Sequence, residues 1–433
     1  MILTVLKYAL PVLCYRLGTN LLNIAVVIIV GHLGLVQLAA YGLANPLYIT
    51  VYLVALSYLM IFSVRASKLK DHIDQLNGYV TASLIFALVL SLIMIIILLI
   101  LPSLLPFLGQ KAHISHLASG FLYFIVLGMP PAICGAVLNQ CLVVLKYPIV
   151  VTVIAILEFL VGTLAIYGLA HYCQLGLKGV ALGLAVTYWF KILITVAYLY
   201  CRGQHGLKLK LITRGELLDH TGFLLKLGWP ISIQYGGELL AGSIASLMIG
   251  DLYSNALAAQ QAAVQIRVFF LMLPIALSQA CAILISKAST QEVRPDYFKS
   301  ILKSALMIGC VTALVLITLI NYYFTEYIGL FIHHSSHPVI HIARIFVVIT
   351  SLTVLVEIVK YTCMGVMRAF ENTKIPMQYS LLVYWLLGIP LAYLLGYHTS
   401  MQAIGVPLGM FIGLTLSVIL LASYSWRLVN PEG

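Results

Sequence analysis

The chain has 433 residues, of which 62% are hydrophobic and only 9% are charged, with a mean hydropathy of +1.07. Soluble domains carry roughly 25% charged residues, so this composition excludes a soluble globular protein and indicates a helical membrane protein. The net charge of +11 does not indicate nucleic-acid binding, because the basic residues fall in short connectors between apolar stretches.

Apolar stretches recur along the whole chain, each long enough to cross the ~30 Å hydrocarbon core of a bilayer as a helix. The pattern predicts an all-α integral membrane protein with twelve transmembrane helices. The most polar connector, 201–222, separates an N-lobe of six helices (1–200) from a C-lobe of six helices (223–433). The predicted spans are 7–30, 42–63, 79–101, 119–145, 149–170, 176–200, 223–249, 255–285, 299–321, 338–367, 376–396 and 402–426.

Lys and Arg are unevenly distributed among the connectors. Connectors that follow even-numbered helices, together with the C-terminal tail, hold fifteen of them, whereas connectors after odd-numbered helices hold two, Lys111 and Lys178. Cytoplasmic connectors of membrane proteins are enriched in basic residues. We therefore expect a multi-pass protein of the inner (plasma) membrane with both termini in the cytoplasm.

The two halves of the sequence repeat. Lys7–Pro11 matches Lys226–Pro230 at an offset of 219, and Gly179–Gly183 matches Gly405–Gly409 further along. Because each half has an even number of helices, both halves enter the membrane in the same direction and should be related by an axis along the membrane normal. Two such pseudo-symmetric six-helix lobes are typical of secondary transporters, whose substrate site lies near mid-depth between the repeats.

Ionisable residues inside the predicted helices are the strongest functional signal. A charge at the bilayer centre costs at least ~2.5 kcal/mol on insertion scales, so its default interpretation is functional. Glu238, in the seventh helix just after Gln234 and Tyr235, is the leading candidate. The acids in the spans are Glu158, Glu238 and Glu357, and the bases are Arg16, Lys191, Arg267, Arg344 and Lys360.

Several of these residues also have a structural interpretation. Lys360 lies at i+3 from Glu357 on one helix face, where a salt bridge would keep that acid ionised. Glu158 is expected to form a structural pair with Lys191 or Arg16. Alternatively, Arg16 faces a central cavity, where it would repel simple organic cations and favour zwitterionic or anionic ligands.

Polar residues of the eighth helix and one aromatic residue complete the predicted substrate cavity. Gln261 and Gln265 share a face, and residues of this kind in an apolar helix either line a cavity or bridge helices. Tyr384 is interpreted as either a cavity aromatic or a packing residue. The predicted cavity consists of Gln234, Tyr235, Gln261, Gln265, Arg16, Arg267, Lys360 and Tyr384.

An ordered set of motifs gives the chain a family resemblance. The matching residues are Leu10–Pro11, Val30–Gly34, Leu227–Pro230 with Glu238, Leu257–Gln261, Gly365–Arg368, Asn372–Pro376 and Tyr384–Pro390. Over its full length the chain resembles the multidrug and toxic compound extrusion (MATE) family. The resemblance implies that Glu238 and Glu357 are the cation-coupling acids. Val26 stands where many bacterial members carry an Asp, so coupling is expected to run through the C-lobe.

The resemblance further implies a secondary active antiporter. It would export amphipathic, mostly cationic small molecules in exchange for H⁺ or Na⁺, by alternating access between the two lobes. The alternative is a lipid-linked precursor flippase of the same superfamily, because Arg16, Arg267 and Arg344 would suit a pyrophosphate-linked lipid. The expected partners are small-molecule substrates and the lipid bilayer, with no nucleic acid, and a monomer is expected.

Neither an enzyme nor a bound cofactor is expected from the sequence. It contains no Walker motif and no visible nucleophile–base pair. The eight cysteines lack ligand-like spacing, and no carboxylate or cysteine joins the histidines around Pro338, so no metal site is predicted. These histidines are His333, His334, His337 and His341.

Overall fold

The computed structural model consists of α-helices with short 3-10 and π turns, and it contains no strand in the part that it describes. That part comprises residues 1–105, 112–145, 147–201, 210, 212–252, 254–288, 295–329 and 337–429. Its helices are α1 (Ile2–Leu33), α2 (Leu35–Tyr58), α3 (Phe62–Leu69), α4 (Ile73–Leu104), α5 (Ala112–Ile125), α6 (Met129–Val144), α7 (Pro148–Tyr167), α8 (Gly176–Cys201), α9 (Arg214–Leu252), α10 (Ser254–Ala288), α11 (Pro295–Tyr322), α12 (Phe324–Gly329), α13 (His337–Ala369), α14 (Lys374–Val383), α15 (Ile389–Tyr397) and α16 (Gly405–Val429).

Most of these helices are suited to a bilayer. Among the described residues, 11 helical stretches are long and apolar enough to cross a membrane. Helix α9, with 39 residues, corresponds to the seventh predicted span. It is less apolar because Gln234, Glu238 and the two glycines between them lie in its middle. The helix that contains Glu238 is therefore the predicted span that apolarity alone identifies least well.

Helix α4 shows how a membrane-spanning helix exposes an apolar face at the surface of the protein. One stripe of its surface is formed by large aliphatic side chains that are all exposed: Ile85, Leu88, Leu92, Ile96 and Ile100. An apolar stripe of this length would be unfavourable against water. It is the surface that lipid tails cover, and it leaves the opposite face of α4 for packing inside the protein.

The helices gather into two compact units. The N unit is Leu10–Ser232, and the C unit is Met1–Ala9 together with Ile233–Gly433. The divisions fall inside α1 and α9, next to Pro11 and Pro230 respectively. A proline inside a helix removes one backbone hydrogen bond and favours a bend. The matched prolines of the sequence repeat therefore lie where the chain passes from one unit to the other.

The polar connector between the predicted lobes is described only in part. Residues 202–209 and 211 lie outside the described residues, and α9 already begins at Arg214. The limits predicted from the sequence, at 200 and 223, stay a prediction.

A second repeated motif packs in the same way in both units. An ideal Cβ built on Gly183 of α8 would lie 2.6 Å from the Cα of Ile166 on α7. An ideal Cβ on Gly409 of α16 would lie 2.6 Å from the Cα of Ala392 on α15. Both distances are too short for any side chain, so glycine is what permits the two backbones to approach. The repeated glycine therefore permits the same close approach of two helices in each unit.

Candidate functional site: buried ion pairs in the two units

In the C unit, Glu238 lies in a polar cluster formed by α9, α13 and α14. Its Oε1 atom is 2.6 Å from Nζ of Lys360 and accepts a 3.2 Å hydrogen bond from Nε2 of Gln234. Gln234 and Glu238 are one turn apart on α9, which places both side chains on one face. The same Nε2 also donates to Oγ of Ser380 at 2.8 Å. Glu238 is therefore held by an ammonium and an amide.

The lysine of this pair is more enclosed than its acid. The side chain of Lys360 is 0% exposed, whereas that of Glu238 is 15% exposed. The ammonium also lies 5.5 Å from the ring centre of Tyr361 and 5.2 Å from that of Tyr384. These distances are within the range of cation–π attraction. Tyr384 is only 4% exposed, so its ring both packs in the interior and faces the ammonium.

The second acid of the C unit has a different base. Glu357 on α13 accepts a 3.0 Å hydrogen bond from Nε of Arg267 on α10, and Nη2 of the same guanidinium also donates to it. The salt bridge between Glu357 and Lys360 that their i+3 spacing suggested is not formed. Lys360 turns to Glu238, because Arg267 already neutralises Glu357 and each acid then has a base of its own. Oε2 of Glu357 is enclosed and has no hydrogen-bond partner among the described residues.

The other predicted cavity residues of the C unit are more scattered. Tyr235 is half-buried, and Gln265 is exposed. The side chain of Gln261 lies outside the described residues. Its neighbour Gln260 donates a 2.9 Å hydrogen bond to Oγ of Ser246 on α9, so this amide bridges two helices.

Among its described residues, the N unit contains one comparable pair. Lys191 on α8 lies 3.1 Å from Oε1 of Glu158 on α7, with 3% and 2% of the two side chains exposed. Its ammonium also donates to the hydroxyl of Tyr15 at 2.6 Å and lies 4.4 Å from the centre of that ring. The predicted pairing of Glu158 with Lys191 is confirmed. The two charges form an ion pair inside the unit and are almost fully enclosed, while Oε2 of Glu158 has no hydrogen-bond partner among the described residues.

Arg16 on α1 is the exception in the N unit. Its side chain is half-buried and makes no ion pair or hydrogen bond with any other residue that the structure describes. Its Nε atom is enclosed without an acceptor. The alternative pairing of Arg16 with Glu158 is not formed, because Lys191 takes Oε1 of that acid.

A group of tyrosines was not predicted from the sequence. The hydroxyls of Tyr48 and Tyr188 are 2.9 Å apart, which links α2 to α8. Tyr52 stacks on Tyr48 at 5.7 Å and on Tyr188 at 6.1 Å between ring centres. The spacing of Tyr48 and Tyr52, one turn apart, was a signal for a shared face. Tyr188 and Ser380 had no such local signal, because their partners lie on distant helices.

The predicted histidine group is largely undescribed. His333 and His334 lie outside the described residues, as does the side chain of His337. Among the residues that the structure does describe, no group of three or more His, Cys, Asp or Glu is placed to hold a metal ion.

Comparison with known proteins decides the family. The family model MatE matches residues 11–167 and 230–394, which together make up more than half of the chain and lie one in each half. The chain belongs to the MATE family. This MATE transporter is 24% identical to a probable multidrug resistance protein NorM of Pasteurella multocida, over 96% of its own length and 91% of the relative's.

Solved structures agree with this assignment. The fold of the MATE transporter matches the crystal structure of the eukaryotic MATE transporter AtDTX14 with a TM-score of 0.89 and 16% identity, covering 99% of this chain and 97% of that one. It matches an outward-facing multidrug resistance MATE family transporter of the MOP superfamily with a TM-score of 0.88 and 16% identity, covering 99% and 96%. The predicted fold class, twelve membrane helices in two six-helix lobes, is confirmed, as is the predicted family.

Proposed function

We propose that this MATE transporter exports amphipathic, mostly cationic small molecules from the cytoplasm in exchange for protons, by alternating access. The observation that carries the proposal is the ion pair of Glu238 and Lys360 in the C unit. Its acid is 15% exposed, whereas its base is fully enclosed. The acid is thus open to exchange while the base stays within the protein.

The contacts of Glu238 support a proton over Na⁺ as the coupling ion. Na⁺ is a hard metal cation, and hard metal cations prefer several oxygen ligands. The two groups that contact Oε1 are instead the ammonium of Lys360 and the amide NH₂ of Gln234, which are both donors. Na⁺ would have to displace both of them, whereas a proton needs only one lone pair of the carboxylate.

Lys360 requires a partner whenever Glu238 is occupied, because an unpaired enclosed ammonium is strongly unfavourable. Glu357 lies one turn away on the same helix, and its Oε2 is enclosed with no hydrogen-bond partner among the described residues. We expect Lys360 to turn to this oxygen when Glu238 binds a proton or a substrate. Glu357, held by Arg267, is then the partner acid of the exchange.

This arrangement makes the binding of substrate and proton at Glu238 mutually exclusive. A substrate cation and a proton compete for the same carboxylate, so the two cannot be carried together. In the empty transporter, Lys360 itself neutralises Glu238. Each exchange partner brings one positive charge to the same place, so binding either one demands the same movement of Lys360.

The test measures efflux of a fluorescent organic cation from reconstituted vesicles, first under an imposed pH gradient and then under a Na⁺ gradient. The wild type should respond to the pH gradient, and Glu238→Gln should lose that response because its amide carries no charge to exchange. The matched control is Glu158→Gln, which changes an acid of the same chemistry that is enclosed against Lys191. Provided that it purifies as a monodisperse protein, it should retain pH-driven efflux.

Other outcomes would redirect the proposal. Efflux driven by Na⁺ and not by the pH gradient would overturn proton coupling. Retained pH-driven efflux in Glu238→Gln would remove Glu238 from the mechanism. A wild type that moves no cation under either gradient would overturn cation export and bring the lipid-linked flippase forward.

A further inference from the structure

The first turns of α11, in the C unit, line a groove whose residues take no part in the ion pairs of the membrane spans. The groove has a volume of about 430 Å³, within the range of ~300–1,000 Å³ that is typical of small-molecule sites. Its described lining residues recur at intervals of three and four positions, which places them on one face of α11. They are Asp296, Lys299, Ser300, Lys303, Ser304 and Met307.

Two ammonium groups give the described lining of the groove a net positive charge. The side chain of Lys303 is exposed and forms no ion pair with any residue that the structure describes. The ammonium of Lys299 lies 3.6 Å from Oδ1 of Asp296, whose side chain is 84% exposed. An exposed pair of this kind contributes little, so an anionic ligand can take Lys299 from Asp296. Two ammoniums one turn apart are then available to a single negative group.

A buried hydroxyl lies in the same groove. Ser304 is only 8% exposed, and its hydroxyl makes no hydrogen bond with any residue that the structure describes. Hydroxyls inside helices commonly donate to the carbonyl one turn back, as Thr318 of the same helix does to Leu314 at 2.8 Å. A buried hydroxyl without such a partner is unfavourable. In a basic groove, it suits a ligand with acceptor oxygens.

The groove continues into an apolar surface on the same face of α11. Past Met307, the helix exposes Val311, Leu314 and Val315, a stripe like the one on α4 that lipid tails cover. A ligand that follows this face has a negative head and apolar tails. The bias of basic residues in the connectors predicts that this end of α11 is cytoplasmic, and the cytoplasmic leaflet is rich in anionic lipids.

Helix α4 has the apolar stripe without the basic groove. Both helices begin with an acid in the first turn. Three and seven residues after that acid, α11 has Lys299 and Lys303, whereas α4 has Asn77 and Thr81. The hydroxyl of Thr81 also accepts a 3.2 Å hydrogen bond from the backbone N–H of Lys210. The positive charge therefore belongs to α11 specifically and does not come with every lipid-facing helix.

We propose that the groove at the start of α11 binds the headgroup of an anionic phospholipid. Its phosphate contacts the ammoniums of Lys299 and Lys303 and accepts a hydrogen bond from the hydroxyl of Ser304, while its acyl chains follow Met307 and the apolar stripe. This inference goes beyond the proposed function, because it assigns a ligand to a surface that the exchange at Glu238 does not use.

The test compares two lipids with the same dioleoyl chains, anionic phosphatidylglycerol and zwitterionic phosphatidylcholine. Each is titrated into the purified full-length protein in detergent, and the first bound lipid is followed by native mass spectrometry. A basic residue near the membrane surface favours an anionic lipid about fivefold, and Asp296 offsets part of the effect of two. The wild type should therefore bind phosphatidylglycerol about tenfold more tightly than phosphatidylcholine.

The variants change this ratio in both directions. Lys299→Gln with Lys303→Gln should lower it about fivefold or more. Asp296→Asn should raise it about twofold, because it removes a negative charge and frees Lys299. The matched control is Lys226→Gln with Lys374→Gln, which removes two exposed lysines outside the groove and should leave the ratio within about twofold of the wild type.

Ser304→Ala tests the hydroxyl separately. It should weaken phosphatidylglycerol binding about fivefold, the effect of one lost hydrogen bond, without lowering thermal stability, because the hydroxyl has no partner to lose among the described residues. A loss of thermal stability with unchanged lipid binding would assign Ser304 a structural role and remove it from the site.

Three results would overturn the proposal. The first is a wild type that binds the two lipids equally. The second is an equal ratio in the groove variant and the control variant, which would attribute the preference to overall charge. The third is displacement of phosphatidylglycerol by an equal concentration of glycerol phosphate, since a soluble phosphate would then be the ligand. Glycerol phosphate should instead leave the lipid bound, because it lacks the chains that contact the apolar stripe.

Discussion

The interiors of the two units are built from similar parts that are used differently. Each contains a lysine paired with a glutamate on another helix, and each lysine faces a tyrosine ring, Lys191 with Tyr15 and Lys360 with Tyr384. In the N unit both members of the pair are nearly inaccessible, at 3% and 2% exposed. In the C unit the acid, Glu238, is 15% exposed. If Glu238 exchanges its partner as proposed, the exposure of the acid, more than the presence of a pair, is what separates it from Glu158.

The balance of charge also differs. The C unit pairs two acids with two bases, Glu238 with Lys360 and Glu357 with Arg267. Among its described residues, the N unit has one such pair, and Arg16 makes no ion pair or hydrogen bond there.

The largest effect should come from breaking the enclosed pair. In Lys191→Met the carboxylate of Glu158 loses its partner in a site that water does not reach, and the expected loss of stability is about 3–5 kcal/mol. Lys360→Met should cost less, because the acid that it leaves behind is partly exposed and still accepts a hydrogen bond from Gln234. Thermal unfolding of the purified variants would rank the two.

The double variant Glu158→Gln with Lys191→Met serves as the control, since it removes both charges and should recover most of the lost stability. Equal losses in the two single variants would contradict the distinction between an enclosed and an exposed pair.

A smaller effect is expected at the repeated glycines, which pack in the same way in both units. Gly183→Ala and Gly409→Ala each place a methyl group against a neighbouring backbone, and each should lower stability by about 1–3 kcal/mol through overpacking. Gly135→Ala and Gly242→Ala are the controls, one in each unit, because a Cβ at either position meets no atom within 4 Å. A marked difference in thermal stability between Gly183→Ala and Gly409→Ala would show that the repeated motif does not contribute equally to the stability of the two units.

The smallest effect concerns a contact outside the membrane spans, at the start of α9 in the N unit. Burial and the nearby Arg65 lower the pKa of His220, partly offset by Asp219 and Glu216. Because the folded chain binds this proton less readily than the unfolded chain, stability from this group is present above the unfolded pKa of about 6.5 and is lost as pH falls below it. His220→Gln should show a shallower fall in thermal stability between about pH 7.5 and about pH 5.5 than the wild type. Identical pH profiles of the variant and the wild type would show that His220 does not contribute to the pH dependence of stability.

The sequence determined the fold to a large extent. Apolar length, the bias of basic residues and the repeat around Pro11 and Pro230 predict a two-lobed helical membrane protein, because the bilayer allows few other ways to satisfy the backbone. It also identified the ionisable residues worth attention, since a charge in an apolar span stands out in one dimension. The pair of Glu158 and Lys191 was among its predicted alternatives.

Only the tertiary structure decided which charge meets which. Spacing along α13 suggested that Lys360 would hold Glu357, yet α10 brings Arg267 to Glu357 and leaves Lys360 to Glu238. Local spacing indicates neighbours on one helix, whereas an ion pair in a bundle depends on which faces of distant helices are packed together. For the same reason the sequence could propose that Arg16 was free or paired, but only the packing of α7 and α8, which gives Glu158 to Lys191, left it without a partner among the described residues.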